Sequence, residues 1–154
     1  MNLRSILLGL TLAFSAACAT GAQVDAPDGF AELEETDDYT YRATSAEGVV
    51  IGVRTESNDP RGNLSFWTSA IDHKLRKSGY SPIHEAPISV ESEHGLAGKR
   101  LRYTSDQGGR PHEYWVTVFV TDSKVILVEA AGDEAFFNAK VQKQIEAATN
   151  TIKS

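Results

Sequence analysis

The chain has 154 residues, of which 41% are hydrophobic and 23% charged, and its formal net charge is −6. This length suits one domain of ordinary size, and the composition is typical of a folded globular protein and excludes an intrinsically disordered one. The acidic balance argues against a nucleic-acid partner, because binding to phosphates draws on clustered basic side chains.

The first residues have the three parts of a secretory signal. Arg4 supplies a positive charge, and an uncharged apolar run covers residues 6–14. This run is too short to span a bilayer, which takes about 20 apolar residues, and small residues follow it up to Cys18. We therefore predict that residues 1–17 are a signal peptide and that the chain is exported.

Cys18 is the only cysteine of the chain. Residues 15–18 resemble the lipobox of bacterial lipoproteins, in which the cysteine becomes the acylated first residue. Acylation would also remove an unpaired thiol from an oxidising compartment. We expect residues 18–27 to be the lipidated cysteine and a tether, with the acyl chains as the membrane anchor. The alternative is ordinary signal-peptidase cleavage at 17–19 or 20–22, which gives a soluble periplasmic or secreted protein.

Residues 28–154 are predicted to form one α+β domain. Its first signals are two strands, at 39–43 and 49–54, which a turn at 45–48 joins as an antiparallel hairpin. A helix is predicted next, because Asn58 before Asp59-Pro60 offers an amino-terminal cap. The helix has one apolar face and ends at Gly79. The apolar residues recur at spacings of three and four, and they are Leu64, Trp67, Ile71 and Leu75.

Four further strands are predicted, at 83–90, 96–104, 112–120 and 125–131. The last two are apolar on both faces, which indicates central strands covered on both sides. A final helix is expected to open at Gly132-Asp133. Its predicted buried stripe consists of Phe137, Val141, Ile145, Ala148 and Ile152. The order β-β-α-β-β-β-β-α predicts an antiparallel sheet of about six strands with helices packed on it, an α-β-α sandwich.

Several of these features together resemble a known group. The pair Phe66-Trp67, the helix end at Gly79-Tyr80, the strand 125–130 (Val-Ile-Leu-Val-Glu-Ala) and the closing helix are similar to small bacterial lipoproteins of the PsbP-like and DcrB-like group. The resemblance covers about residues 27–152. It implies an α-β-α sandwich around an antiparallel sheet, and it brings no catalytic residue to this chain.

The reactive side chains form no known catalytic or metal-binding motif. His84, His94 and His112 each stand beside a glutamate, but adjacent residues of a strand point to opposite faces and cannot act together. The chain has neither a His-Glu-x-x-His element nor a Gly-x-Ser-x-Gly elbow. We therefore predict no catalysis, no metal and no cofactor.

Glu129 and Phe66 are the two candidate functional residues. Glu129 interrupts an apolar strand, and a buried carboxylate needs a cation or several hydrogen-bond donors, for which Arg54 and Arg102 are candidates. The interpretations left open are a structural ion pair, an exposed edge position, or a ligand-binding carboxylate. Phe66 lies beside the main apolar face of the helix, so it marks either a partner surface or a wider buried stripe.

Together these features predict an exported, lipid-anchored accessory domain of the bacterial envelope that binds a protein partner without catalysis. Ala19 after the cysteine resembles an outer-membrane address if the source is Gram-negative. The alternative is a periplasmic small-molecule binding module. That function requires a cavity of about 300 Å³ or more, lined by groups such as Glu129 or Arg102.

Overall fold

The computed structural model describes residues 22–34 and 38–153. In these residues, eight strands form one sheet and two α-helices pack on its opposite faces. The strands are β1 (Phe30–Glu32), β2 (Tyr41–Ser45), β3 (Val50–Ser57), β4 (Ser81–Pro82), β5 (Ile88–Glu91), β6 (Ala97–Asp106), β7 (Pro111–Val120) and β8 (Lys124–Asp133), and the helices are α1 (Leu64–Lys77) and α2 (Ala139–Asn150). The predicted signal peptide and Cys18 lie outside the described residues.

The sheet is antiparallel throughout and runs in the order β1-β2-β3-β8-β7-β6, with β4 and β5 along the outer edge of β6. The strands β7 and β8 are central, as their apolar character on both faces predicted. Gly108 and Gly109 have positive φ angles of 65° and 84° in the turn between β6 and β7. Glycine adopts this left-handed backbone at little cost, so the predicted hairpin turn forms here.

The α+β class and the antiparallel sheet are confirmed, but the predicted strand number and order are wrong. The strand β1 was not predicted, and it pairs with β2 from Phe30 opposite Ser45. Of the predicted strand at 83–90, only the part from Ile88 lies in a strand, β5, and the two-residue strand β4 comes before the predicted range. Pro87 lies directly before β5 and fits this late start, because proline has no N–H to donate to a strand ladder.

The helix α1 begins later than predicted. Its amino-terminal cap is Asn63, whose side chain accepts a hydrogen bond from Phe66 N at 2.9 Å. Asn58 is buried before the helix instead. The predicted apolar face of α1 packs on one face of the sheet, which we call the α1 face. The buried sheet residues of this cluster are Leu101, Tyr103, Val116, Val118, Val125 and Leu127.

The helix α2 also begins later than predicted, because β8 continues to Asp133 and a short 3₁₀ turn, Glu134–Phe136, follows. Asn138 caps α2 by accepting hydrogen bonds from two backbone N–H groups, at 3.0 and 3.2 Å. The predicted apolar stripe of α2 is buried on the opposite, α2 face of the sheet. No helix within the described residues is long and apolar enough to cross a membrane.

The residues just before β1 pack on the domain. Ala22 is 1% exposed and Val24 is 7% exposed, and both belong to the core of the α2 face. Gln23 forms an antiparallel bridge with Lys153, and Thr40 Oγ1 donates to Ala22 O at 2.8 Å. Residues 22–27 are therefore part of the folded domain, and the prediction that they form a tether is wrong for them.

Candidate functional site

Glu129 lies on the α1 face of β8 and is 8% exposed. Arg54 on β3 reaches it from one side, with Nη2 donating to Oε1 at 3.0 Å and Nε lying 2.9 Å from Oε2. Tyr114 on β7 reaches it from the other side, and its hydroxyl donates to Oε1 at 2.5 Å. The two strands that flank β8 thus supply the cation and the hydroxyl that a buried carboxylate requires.

Tyr39 covers this cluster. The ring packs on the backbone of Gly52, where an added Cβ would lie 2.8 Å from two ring carbons. The guanidinium carbons of Arg42 and Arg54 lie 5.5 and 5.6 Å from the ring centroid, within the range of cation–π attraction. Glycine at position 52 is what allows the ring to sit this close above Glu129.

The electrostatics of the cluster keep its hydroxyls protonated. Burial and then the negative charge of Glu129 raise the pKa of Tyr39 and of Tyr114 above the ordinary value. Burial alone would lower the pKa of Arg54, but the Glu129 carboxylate outweighs this effect and raises it. The two tyrosines and Arg54 therefore do not act as bases near neutral pH, and Arg54 and Tyr114 serve as donors to the carboxylate.

The cavity at this cluster is small. Its volume is about 110 Å³, and its lining residues are Tyr39, Arg42, Val50, Gly52, Tyr114, Glu129, Ala130 and Ala131. Sites for small molecules typically measure about 300–1,000 Å³. The volume therefore falls short of the cavity that the binding-module alternative requires, although Glu129 lies at its wall.

Arg102 does not reach Glu129, because it lies on the opposite face of the sheet. Its Nη2 donates to Glu113 Oε1 at 2.8 Å, and Trp115 Nε1 donates to the same oxygen at 2.6 Å. The guanidinium of Arg102 lies 4.2 Å from the Trp115 ring centroid, and that of Arg100 lies 5.3 Å from it. The interpretation of Arg102 as a partner of Glu129 is therefore wrong, and its carboxylate partner is Glu113.

Phe66 is 51% exposed, so it does not belong to a wider buried stripe. Its ring lies against Gly62 and meets the Trp67 ring edge to face, with centroids 5.3 Å apart. Two open depressions, of about 560 and 400 Å³, share Asn63 and Leu64 in their linings at the start of α1. The first turn of α1 thus presents an aromatic side chain next to concave surface.

Asn58 holds this region in place and was missed as a functional residue, because its sequence pattern reads as a helix cap. Its Oδ1 accepts from Gly62 N at 2.8 Å and from Trp67 Nε1 at 2.7 Å. Its Nδ2 donates to Gly62 O at 3.1 Å and to Thr121 O at 2.9 Å. The loop under Phe66 is therefore fixed to α1 and to the turn between β7 and β8.

The histidines do not assemble into a site. His73, His84 and His94 are exposed, and His112 Nδ1 lies 3.2 Å from Arg110 O. Within residues 22–34 and 38–153, no three His, Cys, Asp or Glu side chains are grouped so that they could hold a metal ion.

Sequence comparison identifies no relative, since neither a protein-family model nor a curated protein matches the chain. Solved structures match it in fold. LpqN of Mycobacterium tuberculosis, which is described as involved in cell envelope biogenesis, superposes with a TM-score of 0.65 at 11% identity, over 88% of this chain and 86% of that chain. A Pseudomonas aeruginosa protein of unknown function matches with a TM-score of 0.59 at 11% identity, over 81% of each chain.

The cyanobacterial PsbP of Synechocystis also matches, with a TM-score of 0.56 at 10% identity, over 86% of each chain. At these identities the comparisons show the fold alone. They confirm the resemblance predicted from the sequence: the chain has a PsbP-like fold.

Proposed function

We propose that this chain is an exported accessory protein of the bacterial envelope, anchored by lipid on Cys18, whose domain binds a protein partner without catalysis. The observation that carries the partner-binding part is the exposure of Phe66 on a rigid base. Aromatic side chains dominate the binding energy of many interfaces, and a side chain that is already fixed loses little entropy on binding.

The burial of Ala22 supports a mature chain that begins at Cys18. Cleavage after Ala22 would remove a residue that is 1% exposed in the core and would take away the carbonyl to which Thr40 donates. A chain that begins at Cys18 keeps both. The secretory signal in residues 1–17 and the small residues before the cysteine support the same starting point.

The fold supports an envelope location. LpqN, which is described as involved in cell envelope biogenesis, shares the fold over most of both chains. At 11% identity this likeness gives no partner and no site.

The pairing of interior charges supports a role without catalysis. Glu129 is bound by Arg54 and Tyr114, and Glu113 is bound by Arg102 and Trp115. Catalytic acids and bases need a reacting group within hydrogen-bond reach. These carboxylates instead accept hydrogen bonds from neighbouring side chains, as structural carboxylates do.

Photo-crosslinking in native envelopes tests the proposal. The photo-crosslinking residue benzoylphenylalanine replaces Phe66 in one variant and Phe136 in a matched control. Phe136 is suitable because it is also an exposed aromatic residue, at 42%, and lies in the 3₁₀ turn that follows the last residue of β8, away from Phe66. We expect a discrete crosslinked protein from position 66 and not from position 136. Absence of a crosslink from position 66, or the same products from both positions, would contradict the proposed surface.

A further inference from the structure

The chain is fixed to the folded domain from its first described residue. Ala22 is buried, its carbonyl accepts a hydrogen bond from Thr40 Oγ1, and Lys153 N donates to Gln23 O at 3.2 Å. The contacting residues are Thr40, directly before β2, and Lys153, which follows α2. Ala22 is therefore itself part of the core and is not joined to it by a flexible linker.

These contacts place Ala22 toward one particular end of the sheet. Lys153 follows the carboxyl end of α2, where Glu93 N donates to Asn150 O at 2.8 Å. Glu93 lies in the turn that leads from β5 into β6, and Gly98 near the start of β6 pairs with Phe119 near the end of β7. Ala22 is thus nearest the end formed by the turns 92–96 and 121–123, which we call the tether end.

The turn between β6 and β7 lies at the opposite end. The strand β7 has ten residues and joins the two ends, so they are about 30 Å apart. Three residues, 19–21, separate Cys18 from Ala22. A fully extended chain spans at most about 3.6 Å per residue, so Cys18 reaches no farther than about 14 Å from Ala22.

We propose that the tether end of the domain lies against the bilayer surface, with the turn between β6 and β7 pointing away from it. The inference rests on the proposed lipidation of Cys18. Acyl chains at Cys18 must enter the bilayer, and the tether is too short to bring the opposite end of the sheet to them. The short distance between Cys18 and Ala22 therefore determines which end of the domain contacts the lipid headgroups.

The composition of the tether end fits a headgroup surface. It exposes basic and acidic side chains together, namely Arg61, Lys153, Asp59, Glu93 and Asp122. Such a surface suits zwitterionic headgroups, while the acyl chains supply the attachment. The domain needs no basic patch in this arrangement.

The same end carries the exposed aromatic surface. Asn58 ties the loop under Phe66 to Thr121 in the turn between β7 and β8. A partner that binds Phe66 is therefore itself located at the membrane surface. We therefore expect the partner to be a protein that is embedded in or bound to the same membrane.

Energy transfer from two probe positions tests the orientation. The full chain is produced in a bacterium that processes lipoproteins, and the acylated protein is placed in phosphatidylcholine vesicles with a short-range acceptor dye on the headgroups. Single donor dyes are attached through Ser123→Cys at the tether end or Gln107→Cys at the opposite end, both of which are exposed positions. We expect transfer at position 123 to exceed transfer at position 107 at least twofold.

A matched control inserts 20 Gly/Ser residues between Gly21 and Ala22, which gives a flexible reach of about 25 Å and should abolish the difference. Equal transfer from both positions in the acylated protein without the insertion would overturn the orientation and leave the lipid anchor standing. A difference that survives the insertion would also overturn it, because chain length would then not be the cause. A protein without acyl mass on Cys18 would overturn the anchor and the orientation together.

Discussion

Arg54 and Glu129 form a partly buried ion pair across β3 and β8, offset by two residues along the strands. The residue directly opposite Glu129 is Gly52, and Arg54 lies opposite Leu127. The offset brings Nη2 and Nε of Arg54 within 3.0 and 2.9 Å of the two carboxylate oxygens, while Tyr39 fills the space that Gly52 leaves. The sheet register therefore creates both the pair and its aromatic cover.

Replacing Arg54 with Met should destabilise the domain. The variant leaves the Glu129 carboxylate buried beside only hydroxyl donors, and we expect a loss of about 2 kcal/mol in the free energy of unfolding. Because the Arg54 side chain is 32% exposed, the loss should be smaller than for a fully buried pair. Urea unfolding at pH 7 measures it.

The matched control is Arg110→Met, since Arg110 is exposed in the turn between β6 and β7, and it should change stability by less than about 0.5 kcal/mol. Adding Glu129→Leu to Arg54→Met should recover most of the loss, because no unpaired charge then stays buried. An Arg54→Met variant as stable as the control would show that the pair contributes nothing to the fold.

Replacing Asn58 with Ala should cost about 3 kcal/mol of stability, because it removes four hydrogen bonds at once and leaves half-buried donors and acceptors of Gly62, Trp67 and Thr121 without partners. The cap variant Asn63→Ala should cost only about 1 kcal/mol. Chemical denaturation of both variants gives the comparison. Crosslinking from position 66 in an Asn58→Ala background should also become weaker, since the base of the aromatic side chain is loosened. Equal stability losses in the two variants would contradict the role given to Asn58.

The link between α1 and β6 should show a defined pH dependence. Tyr103 donates to Asp72 Oδ1 at 2.6 Å, and Arg76 Nε lies 2.9 Å from the same oxygen. Burial alone would raise the pKa of Asp72, but these two donors outweigh it and lower the pKa below its ordinary value. The stabilisation is therefore complete above the unfolded pKa and is lost as the pH falls through the folded one.

The stability difference between the natural chain and Asp72→Asn should accordingly be larger at pH 7 than at pH 3, as measured by urea unfolding at both values. Asp106→Asn, at the exposed turn between β6 and β7, is the control. A difference that does not shrink at pH 3 would mean that the charge of Asp72 is not what holds α1 to the sheet.

The segment before β1 should behave as core. Val24 is 7% exposed, so Val24→Ser should lower the free energy of unfolding by about 2 kcal/mol through lost apolar contacts and a buried hydroxyl. The neighbouring Gln23 is exposed, and Gln23→Ser should be close to neutral. Thermal unfolding of the two variants tests this prediction. If residues 22–27 were an unpacked tether, Val24→Ser and Gln23→Ser would have the same stability.

The sequence predicted those parts of the fold that depend on local periodicity. The apolar face of α1 and the two-faced apolar strands β7 and β8 are examples, because spacing along the chain determines which side each residue takes. The strand β1 has three residues in an acidic segment and forms by pairing with β2, so no local pattern indicates it. Pro87 directly before β5 is a local signal against one continuous strand, because proline cannot donate to the strand ladder.

The composition of the candidate site depends on the pairing register of the strands, which no local pattern in the sequence indicates. Val116 lies opposite both Glu129 and Leu101, so Arg102, one residue further along β6, takes the other face. Tyr114 lies two residues before Val116 on β7, so it takes the same face as Glu129 and reaches it diagonally from the neighbouring strand. These relationships follow from strand pairing between distant segments, and charge or hydropathy along the chain cannot supply them.

Intact-mass analysis of the protein from its native membrane fraction, beside a Cys18→Ala variant, tests the account most directly. We expect a chain that begins at Cys18 and carries a diacylglyceryl or triacyl mass, with both features lost in the variant. An unmodified chain that begins at Thr20 or Gln23, or one that retains residues 1–17, would contradict it.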